Sequence, residues 1–412
     1  MRILMISKAC IVGAYQKKLE ELARLPDVEL TVVVPHYWRD ERGVMRLERE
    51  HTRGYSLVVE RMALNGHFHL HFYPGLAKHF KRIKPHVVHI DEEPYNVATW
   101  QAVRLAKKHG AKVILFTWQN IHRRYPPPFS LLESYNLRNT DYAIAGNSEA
   151  VRVLRAKGYQ GSARVIPQFG VDPEIYRVSG FGFRVSGSEV DSLQPATYNL
   201  QPFTIGYVGR LVEEKGVHIL LRAVAGLSGA CAELSRSAWR LRILGSGPQR
   251  SHLERLAGEL GIADRVRFEA PIPSSQTPGY YNRLNALVLP SLTKPNWKEQ
   301  FGRVLIEAMA CGVPVVGSDS GEIPNVIGDA GLVFAEGDER ALRARLSQLM
   351  ADPALRDELA RRGRERVLAH YTQAQVAAKT YQVYRELLGG ECGNTEARRA
   401  WKHGSSVTPH LP

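Results

Sequence analysis

The apolar residues of this chain fall in short solid runs instead of alternating with polar ones. Met1–Ser7, Glu29–Val34, Val87–Ile90, Lys112–Thr117, Tyr142–Ala145 and Arg164–Ile166 each read as a strand covered on both faces. Between them lie stretches with helical spacing, among them Tyr15–Leu25, Asn96–Lys108 and Ser148–Lys157. Strand and helix alternate through this half, which predicts a doubly wound parallel sheet. The rhythm breaks over Arg177–Gln201, a Ser- and Gly-rich segment without a period that reads as a linker or insertion. It then restarts with strands at Phe203–Val208, Trp239–Leu244, Val266–Phe268, Ala286–Leu289, Pro314–Val316 and Leu332–Phe334, and helices at Val217–Ala225 and His252–Leu260. Helical stretches at Glu339–Met350, Pro353–His370 and Thr372–Leu388 follow, and the tail 389–412 carries no apolar period and is expected to be disordered.

The fold class that follows is α/β, with two Rossmann-like domains of parallel sheet, 1–176 and 202–370, and a final helix at 371–388. Two open α/β sheets joined in this way leave a cleft at their strand C-termini, where ligands bind.

Composition narrows the partners. The 412 residues are 44% hydrophobic and 23% charged, an ordinary globular balance. Cys10, Cys231, Cys311 and Cys392 are too far apart for a CxxC-type metal site, so free thiols in a reducing compartment are expected. The apolar N-terminus is too short for a signal peptide, and no run nears the roughly 20 residues that span a bilayer. A cytoplasmic protein is expected. The formal charge of +14 draws it toward polyanions. With no nucleic-acid-binding motif in view, a diphosphate substrate or an anionic membrane surface are the candidate partners; a merely basic surface also fits.

Two segments carry candidate chemistry. Gly209-Arg210-Leu211-Val212-Glu213-Glu214-Lys215-Gly216 leaves a strand and opens a helix. Gly209 lets backbone approach a ligand, Arg210 presents a planar fork, Lys215 a point charge, and the helix start adds free N–H groups. Together they form a diphosphate clamp without a metal. The alternative is a surface turn with charges solvated or paired to Glu213 and Glu214. The second segment is Glu299-Gln300-Phe301-Gly302-Arg303-Val304-Leu305-Ile306-Glu307. Glu299 is expected just before an apolar helix and Glu307 two turns into it, which sets the carboxylates ~12 Å apart, beyond the ~5–10 Å of paired glycosidase acids and suited to the two ends of one long ligand. The N–H groups of Phe301 and Gly302 would face a phosphate or sugar. The alternative is an N-capping Glu299 and a helix-face Glu307.

These segments resemble glycosyltransferase family 4. So do the Gly-rich turn Leu244-Gly245-Ser246-Gly247-Pro248, the strand Asp264–Phe268, and the loops Ser320–Pro324 and Gly331–Val333, all in the family's order across 203–345. Val165-Ile166-Pro167 with Gly170-Val171-Asp172 is similar to the motif that ends the family's first domain. The resemblance implies the GT-B fold, a last helix crossing back to the first domain, and a nucleotide-diphosphate sugar as donor. It also implies transfer to a hydroxyl acceptor with retention at the anomeric carbon, and no bound metal or other cofactor. By carry-over, Arg210, Lys215 and Glu299 are catalytic: the cations stabilise the departing diphosphate and Glu299 binds the transferred sugar. Gly209, Gly245, Gly247, Phe301, Gly302, Arg303 and Glu307 form the donor site, with Glu307 on the ribose.

The first half departs from the pattern. Where the family often has a glycine pair after its first strand, this chain has only Gly13. Where the family has a histidine after the strand ending at Thr117, Gln119 stands, and an amide cannot act as a base. His122 could substitute or be a polar surface residue. Asp91 and Glu92, with Glu93, follow a strand at the cleft edge and could bind acceptor hydroxyls, serve as base, or form a solvated turn. His67–Tyr73 with Lys78, Lys81, Arg82 and Lys84 interleaves aromatic and basic residues. That suits an anionic membrane and a lipid-linked acceptor, or equally a half-buried strand and a solvated helix face. The competing functions are a nucleotide-sugar epimerase or hydrolase of the same fold and a non-catalytic sugar-nucleotide-binding protein. Sugar, base, acceptor, linkage and oligomeric state are not encoded in these motifs.

Overall fold

The structure is a computed structural model that describes residues 1–40, 43–178, 202–229 and 239–389. The linker read at 177–201 lies, apart from Arg177 and Val178, outside the described residues, as does the tail beyond Gly389.

The first half holds β1 (Arg2–Ile6), β2 (Glu29–Pro35), β3 (Tyr37–Asp40), β4 (Gly43–Arg46), β5 (Ser56–Glu60), β6 (Val87–Ile90), β7 (Lys112–Thr117), β8 (Tyr142–Ala145) and β9 (Ser162–Val165). Seven of these form a parallel sheet in the order β5-β2-β1-β6-β7-β8-β9, while β3 and β4 make a separate antiparallel hairpin. Helices α1 (Gly13–Ala23), α2 (Leu76–Ile83), α3 (Val97–Lys108), α4 (Phe129–Arg138) and α5 (Ser148–Ala156) alternate with the strands. The second half adds β10 (Phe203–Val208), β11 (Trp239–Leu244), β12 (Val266–Glu269), β13 (Ala286–Leu289), β14 (Val315–Ser318) and β15 (Leu332–Phe334), a parallel sheet ordered β12-β11-β10-β13-β14-β15. Its helices are α6 (Val217–Ala225), α7 (Arg250–Glu259), α8 (Thr277–Tyr281), α9 (Arg303–Ala310), α10 (Ile323–Ile327), α11 (Glu339–Ala351), α12 (Pro353–His370) and α13 (Gln373–Leu387).

Burial explains the solid apolar runs. In β13, Val288 enters one hydrophobic cluster while Leu287 and Leu289 enter another on the opposite face. Neighbours on a strand point to opposite sides, so a sheet covered twice needs apolar residues at every position. The chain passes between domains at Val171 and returns at Thr372. The two passes are bonded side by side, with Val171 N–H donating to Tyr371 O and Gln373 N–H to Val171 O, both at 2.9 Å. Beyond that point α13 packs on α1, and Val376, Ala377, Val383 and Tyr384 join the first domain's core. Buried His89 of β6 and Tyr384 of α13 meet at 2.8 Å between Nδ1 and the hydroxyl.

Three local readings change. The helix expected to start directly after Glu299 begins only at Arg303, because Gly302 takes a left-handed turn (φ +76) at its N-cap. The ~12 Å estimate from helical rise therefore does not apply, and Glu307 sits one turn into α9. Residues 67–73 form no strand apart from the Ala63–Phe72 bridge, whereas α2 directs Lys78, Lys81 and Arg82 to solvent. The β3–β4 hairpin and β5 occupy a stretch where the sequence showed no element.

Candidate active site

The strand C-termini of both sheets face each other across a groove. On the second domain, the loop after β10 is locked to the loop after β11. Gly209 N–H donates to Leu244 O at 3.0 Å, and Leu211 N–H to Ser246 O at 2.8 Å. A Cβ on Gly245 would run into the Gly209 carbonyl, so this close backbone approach requires glycine there. Gly247 packs likewise against Leu211 O. Arg210 is exposed at the head of this loop, its carbonyl accepting from the Tyr207 hydroxyl at 2.8 Å.

After a short 3-10 turn, Gly216 (φ +65) opens α6 in a left-handed conformation, and a Cβ there would strike the Pro290 carbonyl. This turn carries Lys215 to Glu299, Nζ to Oε2 at 2.6 Å, with the ammonium also 4.9 Å above the Trp297 ring. Glu213 instead takes Lys294 at 2.7 Å. The surface-turn alternative, with Lys215 paired to its own neighbours, is not the arrangement found. Glu299 is 7% exposed, and its Oε2 also accepts from the Ser291 hydroxyl at 2.8 Å.

Glu307 is buried, with each carboxylate oxygen engaged: Oε2 accepts from the Tyr281 hydroxyl at 2.7 Å and Oε1 from Arg303 Nε at 2.5 Å. Arg303 continues across the groove, its Nη1 donating to the Tyr15 hydroxyl at 2.7 Å, and Tyr15 stacks on Phe169 at 3.8 Å. Phe301 lies between Trp118 of the first domain and Tyr371, 5.8 Å from each ring centre. Asn120 Nδ2 donates to Glu299 O at 3.3 Å, and Gln300 Nε2 to Trp118 O at 3.1 Å. The segment 299–303 is thus held from both domains.

On the first domain, the N–H of Gly13 donates to Glu48 Oε2 at 2.6 Å, and Glu50 covers the space a Cβ would need. The start of α1 is therefore capped by carboxylates. Asp91 accepts from the Ser7 hydroxyl at 2.6 Å and Gln168 Nε2 at 2.8 Å. Glu92 holds Lys8 through both its backbone N–H and its ammonium. Burial raises the Glu92 carboxyl, but the nearby Lys8 and His71 outweigh it and bring the value down to about 2. Glu93 accepts from the Thr117 hydroxyl at 2.6 Å and Trp118 N–H at 2.9 Å, and burial pushes it above the usual carboxylate value. Gln119 is 8% exposed and contacts the Tyr125 hydroxyl at 3.3 Å. His122 is exposed and lies toward Glu133 on α4, outside this grouping. Tyr15, Tyr281, Ser291 and Trp297 escaped the sequence reading. Tyr15 lies 288 residues from Arg303, and no local motif marks such a pair.

Among the described residues, no group of three or more His, Cys, Asp or Glu is placed to hold a metal ion. Cys10 and Cys311 are buried free thiols. No helix among these residues is long and apolar enough to cross a membrane.

Two family models match, one described as "Glycosyl transferases group 1" over residues 192–366 and one as "Glycosyl transferase 4-like domain" over 14–168. The chain belongs to glycosyltransferase family 4. Among curated members, it is 30% identical over 257 residues to the lipopolysaccharide core biosynthesis glycosyltransferase LpsE of Rhizobium meliloti, covering 62% of this chain and 66% of that one. It is 32% identical to a GDP-mannose-dependent phosphatidylinositol monomannoside mannosyltransferase of Mycolicibacterium smegmatis, covering 47% and 48%. It is 30% identical to a D-inositol 3-phosphate glycosyltransferase of Streptomyces bingchenggensis, covering 58% and 53%. The chain thus spans less than two thirds of the length of these relatives. Solved structures of the same fold align more fully. Sucrose-phosphate synthase from Thermosynechococcus elongatus matches with TM-score 0.69 at 22% identity over 95% of this chain and all of that one. Anabaena HepE with UDP matches with TM-score 0.66 at 16% identity over 94% and 100%. The two-sheet GT-B architecture is that of the family.

Proposed function

We propose that this chain transfers a glycosyl group from a nucleoside-diphosphate sugar to an acceptor hydroxyl, with retention at the anomeric carbon. The observation that carries the reading is the Lys215–Glu299 contact of 2.6 Å at the groove, which sets a cation and a hydroxyl-accepting carboxylate side by side. In the reaction the anomeric C–O bond to the diphosphate breaks and the oxygen leaves with the electron pair. A new bond forms to the acceptor oxygen, whose proton passes to the departing phosphate. Lys215, with Arg210, offsets the charge growing on the leaving oxygens, and the α6 N-terminus adds to it. Glu299 holds sugar hydroxyls and Glu307 the ribose, which enters by displacing Arg303 or Tyr281. The chemistry needs no metal, because fixed cations do the work that a divalent ion would do. The cell-envelope and glycolipid roles in the names of the relatives support a glycoconjugate product. They also support a cytoplasmic enzyme working at the inner face of the membrane on a lipid-linked acceptor, where the basic residues of α2 would meet anionic lipid.

A thermal-shift screen of nucleoside-diphosphate sugars at low salt should find one that raises the unfolding midpoint, since ligand binding stabilises by mass action. With that donor, Lys215→Ala should lower kcat roughly 10²–10³-fold, the range for losing one such charge-stabilising group. Full turnover by Lys215→Ala would rule out the mechanism. Donor consumption that proceeds equally without any acceptor would favour the epimerase or hydrolase reading.

A further inference from the structure

A cavity of about 410 Å³ opens in the first domain beside the groove. Its floor carries Asp91, Glu92 and Glu93, and aromatic rings, including Trp38, Phe68 and Trp118, form its walls. Glu93 is shared with a second cavity of about 190 Å³ that reaches Trp297, Lys298 and Gln300, the residues on either side of Glu299. A molecule on this floor therefore lies next to the place where the transferred sugar would sit under the function proposed above, on which this inference rests.

The charges of the lining are lopsided for a chain of net charge +14. Among its described residues Lys8 is the one basic side chain, against the carboxylates of Asp40, Asp91, Glu92 and Glu93. Lys8 is also committed. Its ammonium bonds Glu92 and stands 4.7 Å over Phe68 and 5.5 Å over Trp38. Asp91 and Glu93 take their hydrogen bonds from neutral donors, Ser7 and Gln168 for one, Thr117 and the Trp118 N–H for the other, and Lys8 acts on Glu93 only through space. A phosphate entering here would face these two carboxylates while the lining's one cation, Lys8, is already bonded to Glu92, a like-charge juxtaposition that selects against it. A sugar ring offers apolar faces to the aromatic walls and hydroxyl or ammonium donors to the acids.

We propose that this cavity receives the acceptor's sugar ring, and that it admits an uncharged or amino sugar while rejecting a phosphorylated one. Phe68 of the lining is 40% exposed, and Leu64 and Leu70, nearby in sequence, add exposed apolar surface at 52% and 40%. An alkyl aglycone has a place there, which makes octyl glycosides suitable probes.

The test uses the full chain with octyl β-D-glucoside, its 2-amino-2-deoxy analogue and its 6-phosphate. Binding is read by saturation-transfer NMR without donor, and transfer is then measured with the donor found by the thermal-shift screen. The first two should bind, and the 6-phosphate should bind at least about tenfold more weakly. Glu92→Gln releases Lys8 and should narrow that gap. Lys8→Ala removes the lining's cation and should widen it, so the two variants move selectivity in opposite directions and a folding failure of one leaves the other. Equal or better binding of the 6-phosphate, no binding by any of the three, or selectivity unmoved by the folded variants would overturn the proposal. If the binding preference holds but no product forms with any acceptor, the transferase reading fails and the cavity's selectivity stands.

Discussion

Arg303 of the second domain and Tyr15 of the first meet across the groove at 2.7 Å, while the same guanidinium holds Glu307. Under the function proposed above, a donor whose ribose displaces Arg303 from Glu307 would disturb this link and so reach α1 of the other domain. Tyr15→Phe keeps the stack on Phe169 and removes only the hydroxyl. A hydrogen bond to a charged group contributes about 1.5–3 kcal/mol. The variant should show a larger radius of gyration in solution scattering without donor, and a changed donor KM with kcat within a few-fold of the parent. An unchanged scattering profile would mean that the other interdomain contacts hold closure alone.

The Ser291 hydroxyl steadies the Glu299 oxygen that also takes Lys215. Ser291→Ala should cost about 1.5–3 kcal/mol in stability, the range for a hydrogen bond to a charged group, and lower kcat only several-fold, since the ammonium remains. A loss as large as that of Lys215→Ala would place Ser291 itself in contact with the reacting atoms.

Gly216 should tolerate no side chain. Its left-handed backbone costs a non-glycine residue about 1–2 kcal/mol, and the Cβ strikes Pro290 O besides. Gly216→Ala should therefore destabilise by more than about 2 kcal/mol in urea unfolding. Gly258, within α7 and with open space where a Cβ would stand, is the control. Gly258→Ala should gain up to about 1 kcal/mol from helix propensity.

Burial pushes the His89 imidazole down to about 3 from its ordinary value near 6.5. The unfolded chain therefore binds a proton that the folded one refuses between those values. The stability that His89 supplies is full above pH 6.5 and is lost progressively as pH falls toward 3. Urea midpoints measured from pH 7 to pH 4 should fall less steeply in His89→Gln than in the parent. Identical slopes would show that the acid limb is set by other groups.

Every strand of both sheets except β5 is readable, because covered parallel strands leave unbroken apolar runs, as in Ile3–Ile6 and Ala286–Leu289; edge strand β5 is only partly buried. The β3–β4 hairpin was not, since its residues are largely exposed and carry no period: Tyr37 and Val44 face solvent beside Arg39 and Arg46. The start of α9 was misplaced because the apolar spacing runs through Gly302 while its backbone turns left-handed. Motif residues of the second domain came from contiguous sequence. Their partners did not: Glu48 reaches Gly13 from the far side of the hairpin, and Tyr15 reaches Arg303 from another domain. Such pairs arise from how the elements pack, and single-chain periodicity holds no trace of them.

The paired passes at Val171 and Thr372 have a mechanical meaning. Two covalent strands bonded side by side form a pin, not a loose tether. The halves of this molecule are joined twice at one place, and cutting either strand alone would leave the other to keep them in register.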